Sequence, residues 1–213
     1  MRSAPALAHT PQAQQFKQAK QLDWELLKLW AQVSEIQLKY LDESGCYCQS
    51  PTDYGYVQKG QQKRIVQCCR RGRRINIVGF WQPQKRFDYA LMVGTLKSQT
   101  FLKLMDWQAA QAQTQFQTTG QITVIVLDNA SVHKSHLTTA ATERWQTQGL
   151  FLFFLPPYSP QMNRIEDEWL HLKRDELASR VFEDEVDLAK AIMTGIETRG
   201  QRGKYIVERF MFN

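Results

Sequence analysis

Acidic residues follow three apolar stretches of this sequence, in an arrangement that could bind cations. Asp42 ends IQLKYLD, Asp128 ends ITVIVLD, and the run Glu166–Glu168 follows the abrupt stop LPPYSP. In each of the first two stretches the aspartate is in phase with alternate apolar residues, so it extends an apolar strand face. A carboxylate seldom lies on such a face unless it is paired, hydrogen-bonded or bound to a cation.

Carboxylates from two strands and a helix suit hard divalent cations, which prefer oxygen ligands. Two such ions can activate a water or a 3′-hydroxyl and stabilise the leaving oxygen in phosphodiester chemistry. A simpler interpretation stays open for each aspartate taken alone, and alone it is the commoner one. Asp128 and Asn129 ahead of Ser131 are also typical of a turn that caps the next helix.

Helical geometry divides the acidic run. At ~100° per residue, four apolar residues from this region form one core stripe. These are Met162, Ile165, Trp169 and Leu172. Asp167 lies nearly opposite the stripe and is expected to face solvent, whereas Glu166 and Glu168 lie at its two margins. Helix geometry alone therefore does not decide whether Glu166 or Glu168 takes part in a cation site.

The elements that must position these residues are read from hydrophobic periodicity. Strands are predicted in EIQLKYLDESG, ended by Gly45, and in YGYVQKG, RRINIVGFWQ, residues 87–95, ITVIVLDNA and GLFLFFL. Helices are predicted over residues 13–34, 98–117 and 133–148, from Met162 onward, and in the last 35 residues, where Gly200 and Gly203 with their neighbouring arginines predict a flexible stretch. Along the chain, the predicted strands come first and are followed by alternating helices and strands. This order indicates a mixed α/β sheet with helices on both sides.

The net charge of +6 and a pI of about 9.2 favour a polyanionic partner such as double-stranded DNA. The basic residues that are predicted to contact the DNA backbone are Lys59, Lys63, Arg64, Arg70, Arg71, Arg73 and Arg74. A solvated hairpin is the alternative. No apolar run predicts a membrane span, and the polar N-terminus is unlike a signal peptide. We therefore expect no membrane partner, a cytoplasmic, nucleoid-associated protein, and reduced thiols at the four cysteines.

Three blocks of the sequence resemble one family. LDES around Asp42, VIVLDNASVH around Asp128 and LPPYSPQMNRIEDEW are similar to the catalytic domain of mariner-like DDE transposases of bacterial insertion sequences. The last block is the most specific, because it is a near-complete match to the family motif LPPYSPxxNxIExxW. That motif places its acidic residue at Glu166.

The resemblance implies an RNase H-like fold, a mixed five-stranded sheet flanked by helices. It implies that Asp42, Asp128 and Glu166 hold two Mg²⁺ (or Mn²⁺) ions. It also implies DNA cleavage by water, followed by attack of the freed 3′-hydroxyl on target DNA, without a covalent protein–DNA intermediate. Supporting residues near the site are implied at Asn129, His133 and Asn163, and Tyr158 is expected to shape the loop.

The resemblance covers roughly residues 35–180 and predicts three regions. Residues 1–34 form a tail and helix that is a remnant or linker of a DNA-binding module, residues 35–185 form the catalytic domain, and residues 186–213 form a C-terminal helix and basic tail. The chain is then the second of two frames joined by frameshifting, or a truncated copy. Expected partners are element-end and target DNA, further copies of the chain assembled on DNA, and an upstream-frame DNA-binding polypeptide. The alternatives are a silent remnant that regulates by binding DNA or full-length transposase, and a plain RNase H-like nuclease.

Overall fold

The computed structural model describes residues 11–48, 74–178 and 180–212. Its helices are α1 (Pro11–Gln32), α2 (Ser98–Thr119), α3 (His136–Thr147), α4 (Ile165–His171) and α5 (Glu185–Gly203). Its strands are β1 (Ile36–Tyr47), β2 (Arg74–Gln82), β3 (Arg86–Val93), β4 (Ile122–Leu127), β5 (Leu150–Phe154) and β6 (Ile206–Phe210). The predicted strand YGYVQKG lies outside the described residues.

The six strands form one mixed sheet in the order β5-β4-β1-β2-β3-β6. β4 pairs in parallel with both β1 and β5, β2 pairs antiparallel with β3, and β6 pairs in parallel with β3. A mixed sheet with helices was expected, and this fold class is confirmed. The described chain has six strands where five were expected, because part of the predicted basic tail forms β6.

By internal contacts the chain divides into two compact units, each described by itself. The first comprises Met1–Tyr40 and Ser98–Asn163, and it contains α1, α2, α3, β4, β5 and the start of β1. Its core lies where α2 and α3 pack on β4 and β5. The fully buried side chains there include Phe101, Leu104, Ile125 and Trp145.

The second unit comprises Leu41–Lys97 and Arg164–Asn213, and it contains β2, β3, β6, α4, α5 and the rest of β1. α4 and α5 both pack on β2. The Asp184 side chain caps α5 by accepting a hydrogen bond from the N–H of Asp187 at 2.8 Å. Burial of Ile77, Phe80 and Ile192 defines the core of this unit.

Two local expectations were wrong. Gly45 does not end the first strand, which continues to Tyr47. Gly200 and Gly203 lie within α5 rather than in a flexible stretch. A Cβ at Gly200 would clash with the Val207 side chain, and one at Gly203 would lie 2.5 Å from the Tyr205 ring. These glycines therefore permit close packing against the segment that leads into β6.

Candidate active site

Asp42 lies on β1 in the second unit and is half-buried. The indole Nε1 of Trp169 on α4 donates a hydrogen bond to its Oδ2 at 3.0 Å. Trp169 is buried and packs edge-on against Phe87, with ring centroids 5.7 Å apart. A Cβ at Gly79 would lie 2.6 Å from the Trp169 ring, so the strand beneath the ring must carry glycine. The Asp42 carboxylate is thus held by a side chain that is itself fixed by packing.

The core stripe predicted for α4 is confirmed, because Met162, Ile165, Trp169 and Leu172 are all buried. Met162 belongs to the short 3-10 turn Pro160–Met162 before the helix. Leu172 begins the π-helical turn Leu172–Leu177 after it.

The three acidic residues of α4 have different surroundings. Asp167 is exposed, as its position opposite the stripe predicts, and lies 3.7 Å from Arg164. Glu168 accepts a charge-assisted hydrogen bond from Arg199 of α5 at 2.5 Å. Glu166 has no ion-pair partner in the part of the chain that the structure describes. Desolvation, and then the neighbouring charge of Asp167, raise the pKa of the Glu166 carboxyl. A cation beside Glu166 would oppose both effects.

Asp128 follows β4 in the first unit, where two donors hold its Oδ1. The Nδ1 of His133 lies 2.8 Å away, and the backbone N–H of Ala130 donates at 2.9 Å. The His133 hydrogen bond is the main cause that lowers the pKa of the Asp128 carboxyl. Both interpretations of Asp128 therefore have a basis, because it organises the local turn and presents a partly exposed carboxylate.

His133 lies in the 3-10 turn Ser131–Lys134 and is buried against Phe101, with ring centroids 4.8 Å apart. Its Nε2 has no hydrogen-bond partner among the described residues. The hydrogen of the neutral imidazole therefore belongs on Nδ1, where it is donated to Asp128. The predicted helix over 133–148 begins at His136 instead, with Ser135 as its cap.

The remaining residues predicted near the site lie in the segments that follow β4 and β5. The Asn129 amide donates a hydrogen bond to the carbonyl of Leu155, which ties the Asp128 turn to the end of β5. Tyr158 has a positive φ of 56° and is exposed, which fits a residue that shapes a turn. Asn163 is buried, and its N–H donates to the carbonyl of Pro160 at 2.7 Å.

The predicted DNA contacts fall mostly outside the described residues, namely Lys59, Lys63, Arg64, Arg70, Arg71 and Arg73. Arg74 opens β2, and its guanidinium donates to the side chain of Asn76 at 2.5 Å. Cys46 and Cys48 are buried and are not in a disulfide, and Cys68 and Cys69 lie outside the described residues. Within residues 11–48, 74–178 and 180–212, no three His, Cys, Asp or Glu side chains form a metal-binding group.

Two residues of this region were missed by the sequence analysis. Trp169 was assigned only to the core, although it is also the hydrogen-bond donor to Asp42. Its place in the motif LPPYSPxxNxIExxW was the available signal. Arg199 was assigned to a flexible stretch, and no local pattern relates it to Glu168, from which it is 31 residues distant.

A model of the family described as DDE superfamily endonuclease matches residues 37–189. No curated protein matches the chain in sequence. None of the helices in the described ranges has the length and apolar character that a membrane span requires.

Solved structures of mariner transposases resemble the chain. A pre-cleavage Mos1 transpososome has a TM-score of 0.61 at 16% identity, covering 96% of this chain and 65% of that one. The Mos1 mariner paired end complex with Mn has a TM-score of 0.59 at 17% identity, covering 96% and 64%. The catalytic domain of Mos1 mariner transposase has a TM-score of 0.52 at 15% identity, covering 92% and 93%. At these identities the likeness establishes the fold, which is the expected RNase H-like one. The chain spans about two thirds of the length of the Mos1 chains in the first two structures.

Proposed function

The chain belongs to the DDE superfamily endonuclease family, and from this membership we propose that it is the catalytic part of a transposase. It cuts DNA and joins the freed end to target DNA. The matched region contains Asp42, Asp128 and Glu166, which we assign as the catalytic carboxylates. The proposal rests on their surroundings as well as on the family.

The strand register is the observation that carries this assignment. β1 and β4 are neighbouring parallel strands, paired from Ile36↔Ile122 to Tyr40↔Val126. Asp42 follows Tyr40 by two residues, and Asp128 follows Val126 by two residues. Equal offsets at the same ends of neighbouring parallel strands favour side chains on one face of the sheet. This supports a shared role for the two aspartates.

The choice of Glu166 as the third carboxylate has independent support. Glu168, the other residue that helix geometry left eligible, is neutralised by Arg199 at 2.5 Å. Glu166 is an exposed carboxyl whose pKa is raised by partial desolvation and then by the like charge of Asp167. A carboxylate in that setting gains more from a cation than one that already has an arginine partner.

All three residues offer carboxylate oxygens, a donor set that suits Mg²⁺ or Mn²⁺. Mos1 complexes of the same fold are described with Mg and with Mn. We propose two such ions here. When bound, they supply activation of a water or hydroxyl nucleophile and stabilisation of the leaving oxygen.

The residues around these carboxylates prepare them for that role. His133 holds the Oδ1 of Asp128, and Trp169 holds the Oδ2 of Asp42, so each aspartate has a side-chain donor that positions its carboxylate. Hydrogen bonds of this kind fix the orientation of ligating carboxylates. Because the unbonded Nε2 of His133 is buried against Phe101, this histidine serves as an orienting residue rather than a ligand.

The reaction has two steps. Water attacks a phosphodiester, a new P–O bond forms, and the bond from phosphorus to the 3′-oxygen breaks, which leaves a 5′-phosphate and a free 3′-hydroxyl. That hydroxyl then attacks a phosphodiester of target DNA and displaces another 3′-oxygen, so one phosphodiester replaces another. Neither step needs a covalent protein–DNA intermediate.

Double-stranded DNA is the proposed partner, with the basic residues from Lys59 to Arg74 contacting its backbone. Structural relatives are described as paired end complexes, one of them with the left transposon end. Assembly of several copies on DNA, a separate upstream-frame DNA-binding polypeptide and a nucleoid-associated, cytoplasmic location stay predictions.

The decisive experiment compares two adjacent carboxylates of α4. Purified protein is incubated with supercoiled plasmid and with element-end oligonucleotides in Mg²⁺ or Mn²⁺, and nicking and strand joining are measured. We expect Glu166→Gln to lose metal-dependent activity and Asp167→Asn to retain it. Equal activity in Glu166→Gln and the unmodified protein would overturn the assignment.

The same assay separates the alternatives. Metal-dependent nicking without strand joining would identify a plain nuclease. Retention of DNA in a gel-shift assay, without cleavage in either metal, would instead identify a silent regulator.

A further inference from the structure

The second unit has a cavity beside the turn between β2 and β3, where the C-terminal end of α5 meets that turn. Its volume is about 380 Å³, within the range of about 300–1,000 Å³ that is usual for small-ligand sites. None of the assigned carboxylates, Asp42, Asp128 and Glu166, lines it. We call it the α5 cavity, and its lining includes Trp81, Gln84, Glu168, Arg199, Arg202 and Tyr205, all of the second unit.

Aromatic rings form one wall of the α5 cavity. Trp81 on β2 meets Tyr205, which precedes β6, in an edge-on contact with ring centroids 4.8 Å apart. Trp81 is buried, and its ring centroid also lies 5.8 Å from that of Phe87. The backbone N–H of Tyr205 donates to the carbonyl of Gly200 at 3.0 Å, so its position is tied to α5. Nucleic-acid bases stack on aromatic rings of this kind with little dependence on sequence.

The charge of the α5 cavity favours an anion. Arg199 pairs with Glu168 at 2.5 Å and so neutralises the one carboxylate that the described residues contribute to the lining. The side chain of Arg202 is 71% exposed, and its partner Glu176 lies 3.4 Å away. Because an exposed ion pair contributes little, this guanidinium can pair with another anion instead. The exposed Lys204 adds a second cation next to the cavity.

Two residues beside the α5 cavity have a positive φ although neither is glycine. Gln84 has a φ of 59° in the turn that the Lys85 N–H closes on the Gln82 carbonyl at 3.1 Å. Lys204 has a φ of 54° where α5 ends. Glycine is the usual residue at both kinds of position, because a side chain disfavours this conformation. Strain of this kind is concentrated at functional sites, so an amide and an ammonium held here point to a ligand.

We propose that the α5 cavity binds an unpaired nucleotide of a DNA strand. The base lies against Trp81 and Tyr205 and forms hydrogen bonds with the Gln84 amide, which can both donate and accept. The phosphate pairs with the guanidinium of Arg202 and the ammonium of Lys204. A free nucleotide has the same chemistry, and the choice of a DNA strand rests on the proposed function.

Helix α4 connects the α5 cavity with the assigned catalytic residues. Glu168 lines the cavity, and Glu166 lies two residues earlier, about 200° around the same helix. The cavity and Glu166 are therefore on nearly opposite sides of α4, separated by about one helix diameter of 10–12 Å. A DNA strand held in the cavity would thus extend to the residues that cut it.

Binding of a single strand without metal tests the proposal. In EDTA, fluorescence anisotropy of a labelled oligothymidine should show about 5- to 10-fold weaker binding by Arg202→Gln and by Gln84→Gly, since each loses one or two hydrogen bonds. Affinity for blunt duplex DNA should change less than about 2-fold, because a paired base must first be extruded. Gln84→Gly should not lower the urea midpoint of unfolding, since glycine adopts a positive φ without strain. Failure of the unmodified protein to bind the oligothymidine, or equal affinity in both variants, would overturn the proposal.

Lys190→Gln is the matched control, because Lys190 is an exposed cation on α5 that does not line the cavity. It removes the same single charge as Arg202→Gln, so a general electrostatic effect would appear in both variants. Single-strand affinity in Lys190→Gln should stay within about 2-fold of that of the unmodified protein. A loss as large as that in Arg202→Gln would indicate non-specific attraction and contradict the proposal.

Photocross-linking of the unmodified protein gives a readout that does not depend on how the variants fold. A strand that carries iodouracil should link to a peptide containing Trp81 or Tyr205, the rings on which its base stacks. Cross-links confined to other peptides would contradict the proposal. Thymidine monophosphate should compete only weakly with the strand. Displacement of the strand by an equal concentration of the monophosphate would identify a free nucleotide as the ligand and overturn the assignment to DNA.

This outcome is separable from that of the cleavage assay, because binding in EDTA does not need the metal-binding carboxylates. Single-strand binding that is lost in Arg202→Gln, in a protein that cuts no DNA in Mg²⁺, would overturn the proposed function alone. Metal-dependent cutting with unchanged single-strand affinity in Arg202→Gln would overturn this inference alone.

Discussion

The indole N–H of Trp169 donates to the Oδ2 of Asp42 at 3.0 Å, and so joins α4 to β1 within the second unit. The same ring packs edge-on against Phe87 and over Gly79. One side chain therefore anchors the helix that carries Glu166 and holds a carboxylate on the strand. Packing and site geometry are coupled at this residue.

Replacement of Trp169 by Phe should separate these two effects. Phe keeps an aromatic ring but cannot donate to Asp42, and a hydrogen bond to a charged group contributes about 1.5–3 kcal/mol. We expect that loss of unfolding free energy in urea. DNA nicking should slow by about 10- to 100-fold, because the carboxylate is less well oriented. Leu170→Ala, at an exposed neighbouring position, should change stability by less than about 0.5 kcal/mol.

Gly79→Ala should destabilise the protein by about 1–3 kcal/mol through overpacking. The new Cβ would lie 2.6 Å from one atom of the Trp169 ring and 3.0 Å from the Ile165 side chain. A double-mutant cycle with Trp169→Phe checks the cause, because Phe lacks the outer indole atoms that meet the Cβ. The combined loss measured in urea should be smaller than the sum of the two single losses, and strict additivity would contradict the clash.

Arg86 should contribute more to the free energy of unfolding than Glu208, its half-exposed partner on β6, does. Its guanidinium lies 2.6 Å from the carboxylate of Asp88, which is fully buried, and also contacts Glu208 on β6. Arg86→Leu removes the cation beside a buried charge and should cost about 3 kcal/mol in denaturant unfolding. Glu208→Gln affects a half-exposed pair and should cost under about 1 kcal/mol. Similar losses in both variants would contradict this ranking.

The buried thiol of Cys46 should lower the free energy of unfolding at alkaline pH. Burial raises the pKa of its thiol from 9.0 to about 11. Below pH 9 the thiol is protonated in both states, so its contribution is intact. Between pH 9 and 11 only the unfolded chain releases the proton, and stability should fall by up to about 1.4 kcal/mol per pH unit.

Urea unfolding at pH 8, 9 and 10 measures this loss, and Cys46→Ala should reduce the alkaline slope. Part of the loss of stability at higher pH should persist in Cys46→Ala, because burial also raises the pKa of both Tyr89 and Tyr205 to about 12. An unchanged slope in Cys46→Ala would show that the thiol does not titrate as proposed.

Local patterns in the sequence predicted most of the described fold. The run ITVIVL reads as a strand covered on both faces, and its middle residues are buried. The core stripe of α4 also followed from its spacing. Lys39 alternates with the apolar residues Leu38 and Tyr40 along β1, yet it is buried and donates to Gln108 at 2.6 Å. Alternation predicts which residues share a face, and it does not predict that a helix covers the second face.

Partners that are distant in sequence could not be predicted in the same way. Glycines near the C-terminus suggested flexibility, yet they permit contact with Tyr205 and Val207. β6 is a strand because β3 lies beside it, with Arg86 in contact with Glu208. Helix periodicity could not decide whether Glu166 or Glu168 is the third carboxylate, because Arg199, which pairs with Glu168, is 31 residues away.

The pairing of Arg199 with Glu168 predicts opposite effects for substitutions at Glu168 and at Glu166. Glu168 and Arg199 are both largely buried and pair at 2.5 Å, so Glu168→Gln should lower the unfolding free energy by about 1–3 kcal/mol. It should leave the heat of Mg²⁺ binding in calorimetry nearly unchanged, because the arginine already neutralises this carboxylate. Glu166→Gln should do the opposite: it removes a negative charge beside Asp167, leaves stability unchanged or slightly higher, and abolishes most of the Mg²⁺ heat. If Glu168→Gln instead lost the metal signal while Glu166→Gln kept it, the third ligand would be Glu168.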